Sequence, residues 1–289
     1  MDKAWNGTTF GNGLMHKWLV GLLRWVDVRV IYAITAILII PFCLVFNGKL
    51  IYHYFRQCHH YGIMRAMWAT YINHCLFSQV VIDRFAMFAG KHFHVEMEGY
   101  EHFEHLAKQS DGFIQLSSHV GNYEIAGYTL VAKDKPFNAL VFFGEKESIM
   151  QGRITRFADT NIKMIPVNDD MSHIFIIDEA LQNGEIVSMP ADRLLGSSKT
   201  IIMPFLGADA YFPQGPFRVA TMRGLDVLAV NVMKTGTVRY KIFITPLTYD
   251  RSLSRQEQLN SLAEAYVKEL ERMMRLYPKQ WYNFFEFWK

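Results

Sequence analysis

An α/β fold, with a mixed sheet flanked by helices behind an N-terminal hydrophobic membrane-anchor helix, is predicted by three observations in the 289-residue sequence. The run "VIYAITAILIIPFCLVF", residues 30–46, holds 17 residues without a charge. From about residue 92 onward, short apolar segments alternate with stretches of helical period, the pattern of a sheet covered by helices. The last such stretch, 254–277, carries the fullest set of helix start and stop signals in the chain. The length suits one large domain or a domain with an appendage. The texture divides it near residue 90, into a membrane-anchor and membrane-proximal helical region (1–90) and a sheet domain (91–289).

Taken in order, the apolar run comes first. As a helix it is roughly 25 Å long at ~1.5 Å per residue, just short of a ~30 Å hydrocarbon core. It predicts an anchor that spans the bilayer or lies in one leaflet, bent at Pro41, with a buried core helix as the alternative. Trp18 and Trp25 before it, and Tyr52 and Tyr54 after it, are aromatics suited to an interface. A secretory signal is disfavoured, because 29 residues precede the run and no small-x-small cleavage site follows it. Strands are predicted near 93–98, 112–116, 138–143, 186–190, 200–206, 226–233 and 239–245. Helices fit 122–133, 146–158, 171–183, 216–223 and 254–277. In the last, Ser254 and Glu257 form a capping box, and Leu259, Leu262, Tyr266, Leu270, Met273 and Tyr277 make one apolar stripe. Pro278 stops it, and Glu264/Lys268 and Glu271/Arg275 mark a solvated face.

Composition narrows the function classes. The chain is 51% hydrophobic and 15% aromatic with 20% charged residues, rich in apolar surface for its size, and some of that surface is expected to meet lipid. Net charge is +3, yet residues 1–60 hold six Lys/Arg against Asp2 and Asp27. The remainder is near neutral, and basic residues flank the apolar run on both sides, so charge alone sets no orientation. No basic cluster interleaves with aromatics as a phosphate-tracking surface requires, which argues against nucleic acid. Cys43, Cys58 and Cys75 lack CxxC spacing and read as small buried hydrophobes in a reducing compartment. His92, His94, Glu96 and Glu98 alternate along one strand face, but Phe93, Val95 and Met97 opposite them fit an ordinary half-buried strand, and no metal is expected.

The chemistry concentrates in "IQLSSHVGNYEIAG", 114–127. The strand "GFIQL" leads into "SSHVG", and Asn122 stands as N-cap of a helix with Glu124 in its first turn. That carboxyl edge of a sheet is where ligands bind in open α/β folds. On one continuous helix His119 and Glu124 would point about 140° apart. A turn at Gly121 lets them meet, as a general base and the carboxylate that orients it. The plainer reading is that His119 ends a strand and Glu124 complements the helix dipole.

These residues resemble the HxxxxD/E box of the lysophospholipid acyltransferase superfamily, and "HVGNYE" is most similar to the branch of secondary, lauroyl- and myristoyl-type acyltransferases of lipid A biosynthesis. An apolar N-terminal anchor, "VEMEGYEHF" before the box, "MPADR" at 189–193, "YFPQGPFRVA" at 211–220, "LDVLAVNVMK" at 225–234 and "PKQWYNFFEFW" at 278–288 follow in the family's order, over roughly residues 10–288. Arg193 departs from the glutamine common in that branch.

The resemblance implies a glycerolipid acyltransferase-like fold at the cytoplasmic face of a bacterial inner membrane. It implies transfer of a fatty acyl group from an acyl-carrier-protein thioester, or acyl-CoA, to a lipid hydroxyl, with no cofactor and no acyl-enzyme. The acceptor it points to is a lipid A precursor; a lysophospholipid, an amino-acid lipid or a polyene stay open, as does a hydrolase built on the same dyad or a membrane-tethered lipid-binding protein. His119 would take the hydroxyl proton and Glu124 would hold the imidazole. Backbone N–H groups around Gly121 and Asn122 would receive the oxyanion. Ser117 and Ser118 are weaker nucleophile candidates, since neither sits in a GxSxG elbow. Arg153 or, by preference, Arg156 would hold an anionic acceptor, and Asp192 and Arg193 would contact the acceptor or form a structural ion pair. Gln214 and Gly215 precede Pro216 at a helix start and read as architecture.

Overall fold

Six of the seven predicted strands join one more, at 162–167, in a seven-stranded sheet, while the segment predicted at 200–206 pairs in a separate two-stranded hairpin. The computed structural model describes residues 12–130, 132, 135–142, 147–157, 160–167, 172–194, 199–282, 284, 287 and 288. The N-terminal part is helical: α1 (Gly13–Trp25), α2 (Val28–Ile34), a π-helical turn (Thr35–Ile39), α3 (Ile40–Gln57) and α4 (Ile63–Phe88). There follow β1 (His94–Glu98), α5 (Tyr100–Ala107), β2 (Phe113–Ser117), α6 (Tyr123–Thr129), β3 (Phe137–Phe142), α7 (Glu147–Phe157) and β4 (Ile162–Val167). The chain continues through α8 (Ser172–Gln182), β5 (Ile186–Pro190), β6 (Thr200–Phe205), β7 (Ala208–Pro213) and α9 (Gly215–Arg223). It closes with β8 (Val227–Gly236), β9 (Arg239–Leu247), α10 (Arg255–Leu276) and a 3-10 turn at Pro278–Gln280. The expected element ends at 133, 143, 146, 158 and 171 lie outside the described residues.

The strand order is β1-β9-β8-β2-β5-β3-β4, parallel except for the β8/β9 pair, so the sheet is mixed as the sequence predicts. Side chains alternate between faces along the central strands. Val227 and Ala229 of β8 join Ile114 and Leu116 of β2 beneath α8, α9 and α10, whereas Leu228, Val230 and Phe113 pack with α5 and α6. Two strands escape the pattern. β4, "IKMIPV", is the sheet's edge, the one place where Pro166 costs no ladder bond. β7 pairs with β6 through a two-residue turn in which Leu206 (φ 52°) and Gly207 (φ 92°) are both left-handed, a primed hairpin turn. The capping box of α10 is present, with Ser254 N–H on Glu257 Oε2 at 3.0 Å, and the stripe from Leu259 to Met273 is buried.

Residues before 90 share the sheet's core. Ile51, Tyr54, Phe55, Ala66 and Ala69 pack into the same cluster as β2 and α10. Leu23, Val28 and Tyr32 pack with Ile82, Phe85 and Ile149. Among the described residues one helical stretch, Val28–Val45, is long and apolar enough to cross a membrane. Only 22% of it is buried. Tyr32, Thr35 and Ile40 face the protein, while Val30, Ile34, Ile37, Leu38, Phe42 and Val45 face outward beside an exposed Trp18 and Trp25. Pro41, where a bend is expected, is the second residue of α3, directly after the π-turn.

Candidate functional site

β2 and β5 are parallel neighbours with Ser117 opposite Pro190, and the Ala191 N–H continues the ladder to the Ser117 carbonyl at 3.0 Å. Each strand runs two residues further at the sheet's carboxyl edge, to His119 on one side and Asp192 on the other. Equal overhang from paired strands brings them together. Asp192 grips its neighbour twice: Oδ1 lies 2.8 Å from His119 Nδ1, and Oδ2 accepts the His119 backbone N–H at 2.7 Å. With Nδ1–H given to the carboxylate, Nε2 carries the imidazole lone pair. The His119 side chain is 18% exposed and Asp192 2%, and the Tyr123 ring stands edge-on to the imidazole, centroids 5.4 Å apart.

Burial pushes the His119 pKa below its ordinary value; Asp192 opposes that shift and the Arg193 charge adds to it. Burial alone would raise Asp192, but His119 and then Arg193 hold its carboxyl below the usual range. At neutral pH the pair is therefore a neutral imidazole on an ionised carboxylate, the state of a general base with its orienter.

The carboxylate beside the imidazole is that of Asp192; Glu124, expected there, lies elsewhere. Gly121 does turn the chain, at φ 69°, but the turn carries α6 under α4 and α7, where two guanidinium groups take the carboxylate. Glu124 Oε1 lies 2.8 Å from an Arg84 nitrogen and 2.5 Å from Arg153 Nη2. Burial would raise its pKa, and Arg153 and Arg84 outweigh that and drive it down. Glu124 thus braces three helices, and Arg153, a candidate for anion binding, is part of that brace.

The other expected contacts are also rearranged. A Cβ on Gly121 would lie 1.8 Å from the Val232 carbonyl oxygen, so only glycine fits. Its N–H donates to the Gln280 carbonyl, and that of Asn122 to the Val232 carbonyl, both at 2.8 Å. Neither N–H is available to an oxyanion. Asn122 sits at the N-cap position without capping; its buried side-chain amide donates to the Tyr240 hydroxyl at 3.3 Å. Ser118 is buried with its hydroxyl on Asn231 Oδ1 at 2.9 Å, and Ser117 is buried at the strand end. Arg193 Nη2 donates to the Tyr282 carbonyl at 3.0 Å, and its charge reaches His119 and Tyr123. Gln214 holds the Thr200 carbonyl at 2.9 Å, an architectural role. The side chain of Arg156, on α7, lies outside the described residues. Among the described residues no three His, Cys, Asp or Glu side chains gather as a metal site would require.

Sequence reasoning placed Asp192 at a carboxyl edge but missed its pairing, for which the signal was that His119 and Asp192 each lie two or three residues past the end of a predicted strand. Arg84 carried no local signal, since nothing in the sequence of α4 shows that it lies against Glu124.

The sequence model of the bacterial lipid A biosynthesis acyltransferase family matches residues 57–289. A phosphatidylinositol mannoside acyltransferase of Mycobacterium tuberculosis is 24% identical over 139 residues, 48% of this chain and 44% of that protein, so the match spans less than half of the relative's length. Among solved structures, the 1-acyl-sn-glycerophosphate acyltransferase of Thermotoga maritima superposes over 94% of this chain and 100% of its own, with a TM-score of 0.41 and 16% identity.

Proposed function

Because the chain belongs to the bacterial lipid A biosynthesis acyltransferase family, we propose that it moves a fatty acyl group from a thioester to a hydroxyl of a lipid acceptor. The observation that carries this reading is the two-point His119–Asp192 pair at the sheet's carboxyl edge. His119 Nε2 takes the acceptor's hydroxyl proton as the oxygen attacks the thioester carbonyl. Asp192 stabilises the imidazolium that results. As the tetrahedral intermediate collapses, the carbon–sulfur bond breaks and the imidazolium returns its proton to the leaving thiolate. No acyl-enzyme is needed, in keeping with the burial of Ser117 and Ser118. With the Gly121 and Asn122 N–H groups engaged, Arg193 is the cation that suits the oxyanion or an anionic acceptor.

Acyl carrier protein is the proposed donor, acyl-CoA its alternative, and a lipid A precursor the first acceptor to test. The outward face from Val30 to Val45 seats the enzyme in one leaflet at the cytoplasmic face of the inner membrane. A helix that crossed the bilayer alone would have to give up the inward contacts of Tyr32, Thr35 and Ile40. Ile37→Glu/Leu38→Glu, on the outward face, should release the protein from sedimented membranes with its melting temperature held. Retention on membranes after both changes would refute the seating.

The direct test supplies acyl carrier protein thioester with and without lipid acceptor. Slow fatty acid release alone, and a severalfold rise in thioester loss with acylated lipid as product, is the expected result. Positioning of the bound hydroxyl can contribute ~7–11 kcal/mol, ample for that preference over water. Rapid hydrolysis that no lipid accelerates would make the protein a hydrolase.

The pH profile carries a second test. Activity should fall as pH drops through the His119 pKa, which burial holds below the ordinary imidazole value, because the protonated imidazole is no base. Asp192 raises that pKa and Arg193 lowers it. Asp192→Asn should therefore lower turnover and move the acid limb to lower pH, and Arg193→Gln should move it to higher pH. Limbs that stay in place would remove both residues from the mechanism.

A further inference from the structure

A buried polar chain joins the apolar helix α2 to the turn that holds His119, and the chemistry above does not use it. Val30 and Ile34 of α2 face outward; Tyr32, between them, faces inward and donates its hydroxyl to Asp83 on α4. Asp83 is 0% exposed, lies 2.5 Å from Lys234 Nζ and accepts the Tyr240 hydroxyl. Lys234 Nζ also donates to the Tyr32 and Tyr240 hydroxyls, at 3.2 and 3.3 Å. From this centre two branches reach the catalytic turn. One is the Asn122 amide on the Tyr240 hydroxyl. In the other, the Gln280 side chain accepts the Lys234 backbone N–H and donates to the Lys234 carbonyl, each at 2.8 Å, while the Gln280 carbonyl receives the Gly121 N–H.

Stability alone is a weak reason to bury such an ion pair, since apolar side chains of equal volume often serve as well or better. What the pair supplies is geometry: a carboxylate with three donors and an ammonium with three acceptors fix α2, α4, β8 and β9 relative to one another. We propose that Tyr32, Asp83, Lys234, Tyr240 and Gln280 are positioning residues that transmit the seating of α2 on lipid to the placement of His119, so that the enzyme works faster on a membrane than off it. This rests on the acyl-transfer and membrane-seating readings above. Lipid contact along Val30 and Ile34 fixes α2 and with it Tyr32. The Asp83–Lys234 centre is then held, and the turn from Gly121 to Asn122 stays where Asp192 can hold the imidazole.

The test uses the full chain with thioester and lipid acceptor, in detergent micelles and in vesicles of phosphatidylcholine and phosphatidylglycerol. Two isosteric changes cut the chain at either end without leaving a buried charge alone. For the unaltered protein, vesicles should raise turnover severalfold over micelles. Tyr32→Phe should float with vesicles as before, melt within a few degrees of the parent and lose that rise. Tyr240→Phe should lower kcat in both media with KM for the thioester held. Full vesicle stimulation in Tyr32→Phe would overturn the proposal. So would an unaltered protein indifferent to vesicles, or losses that track a lowered melting temperature equally in both media. A chain with no turnover in either medium would instead overturn the acyl-transfer reading, and this proposal with it.

Discussion

His119→Ala should lower thioester-to-lipid transfer by roughly 100- to 10,000-fold, the usual worth of a general base. The fold should be kept, because the side chain is partly exposed and Asp192 still accepts the backbone N–H of residue 119 at 2.7 Å. Acylated lipid quantified by mass spectrometry, beside an unchanged circular dichroism spectrum and melting curve, checks both halves. Transfer within a few-fold of the parent would mean that the proton leaves by another route.

Glu124→Ala acts on the fold instead of on the proton. It removes the carboxylate shared by Arg84 and Arg153 from a site where all three side chains are largely buried. Breaking a buried ion pair from one side costs about 3–5 kcal/mol, chiefly the burden of the charge left behind. Urea denaturation should show a loss of that size. Glu124→Gln should lose less, since an amide can still accept from one guanidinium. In whatever fraction stays folded, the acid limb of the pH profile should not move, unlike in Asp192→Asn. A shifted limb would restore Glu124 to the imidazole.

The contrast between these two carboxylates shows how far the sequence could be read. The strand before His119, the turn at Gly121 and a helix after it follow from local pattern and are present, the helix closing at Thr129 where 133 is expected. Which acid meets the imidazole is a question of which strands lie side by side. β2 pairs with β5 across 73 residues of sequence, and no periodicity within either strand encodes that neighbour. The same limit explains Arg84, whose role depends on α4 crossing behind α6. Edge position hid β4, because a lysine and a proline look like loop until a sheet places them where no partner is needed. The capping box of α10, by contrast, lies wholly within four residues and was fully legible.

The Gly121 turn has a consequence for the order in which the molecule becomes complete during synthesis. Val120 bridges Trp281, and the Gly121 N–H is closed by the Gln280 carbonyl. A chain still emerging from the ribosome can form β2 and α6 early, and β5 can bring Asp192 alongside. The loop that carries His119 nevertheless lacks its final hydrogen-bond partners until residues 280 and 281 are free. Contacts so distant in sequence close late, since their loop entropy has to be overcome first. The growing chain can therefore form its N-terminal helices well before the turn that carries His119 is closed.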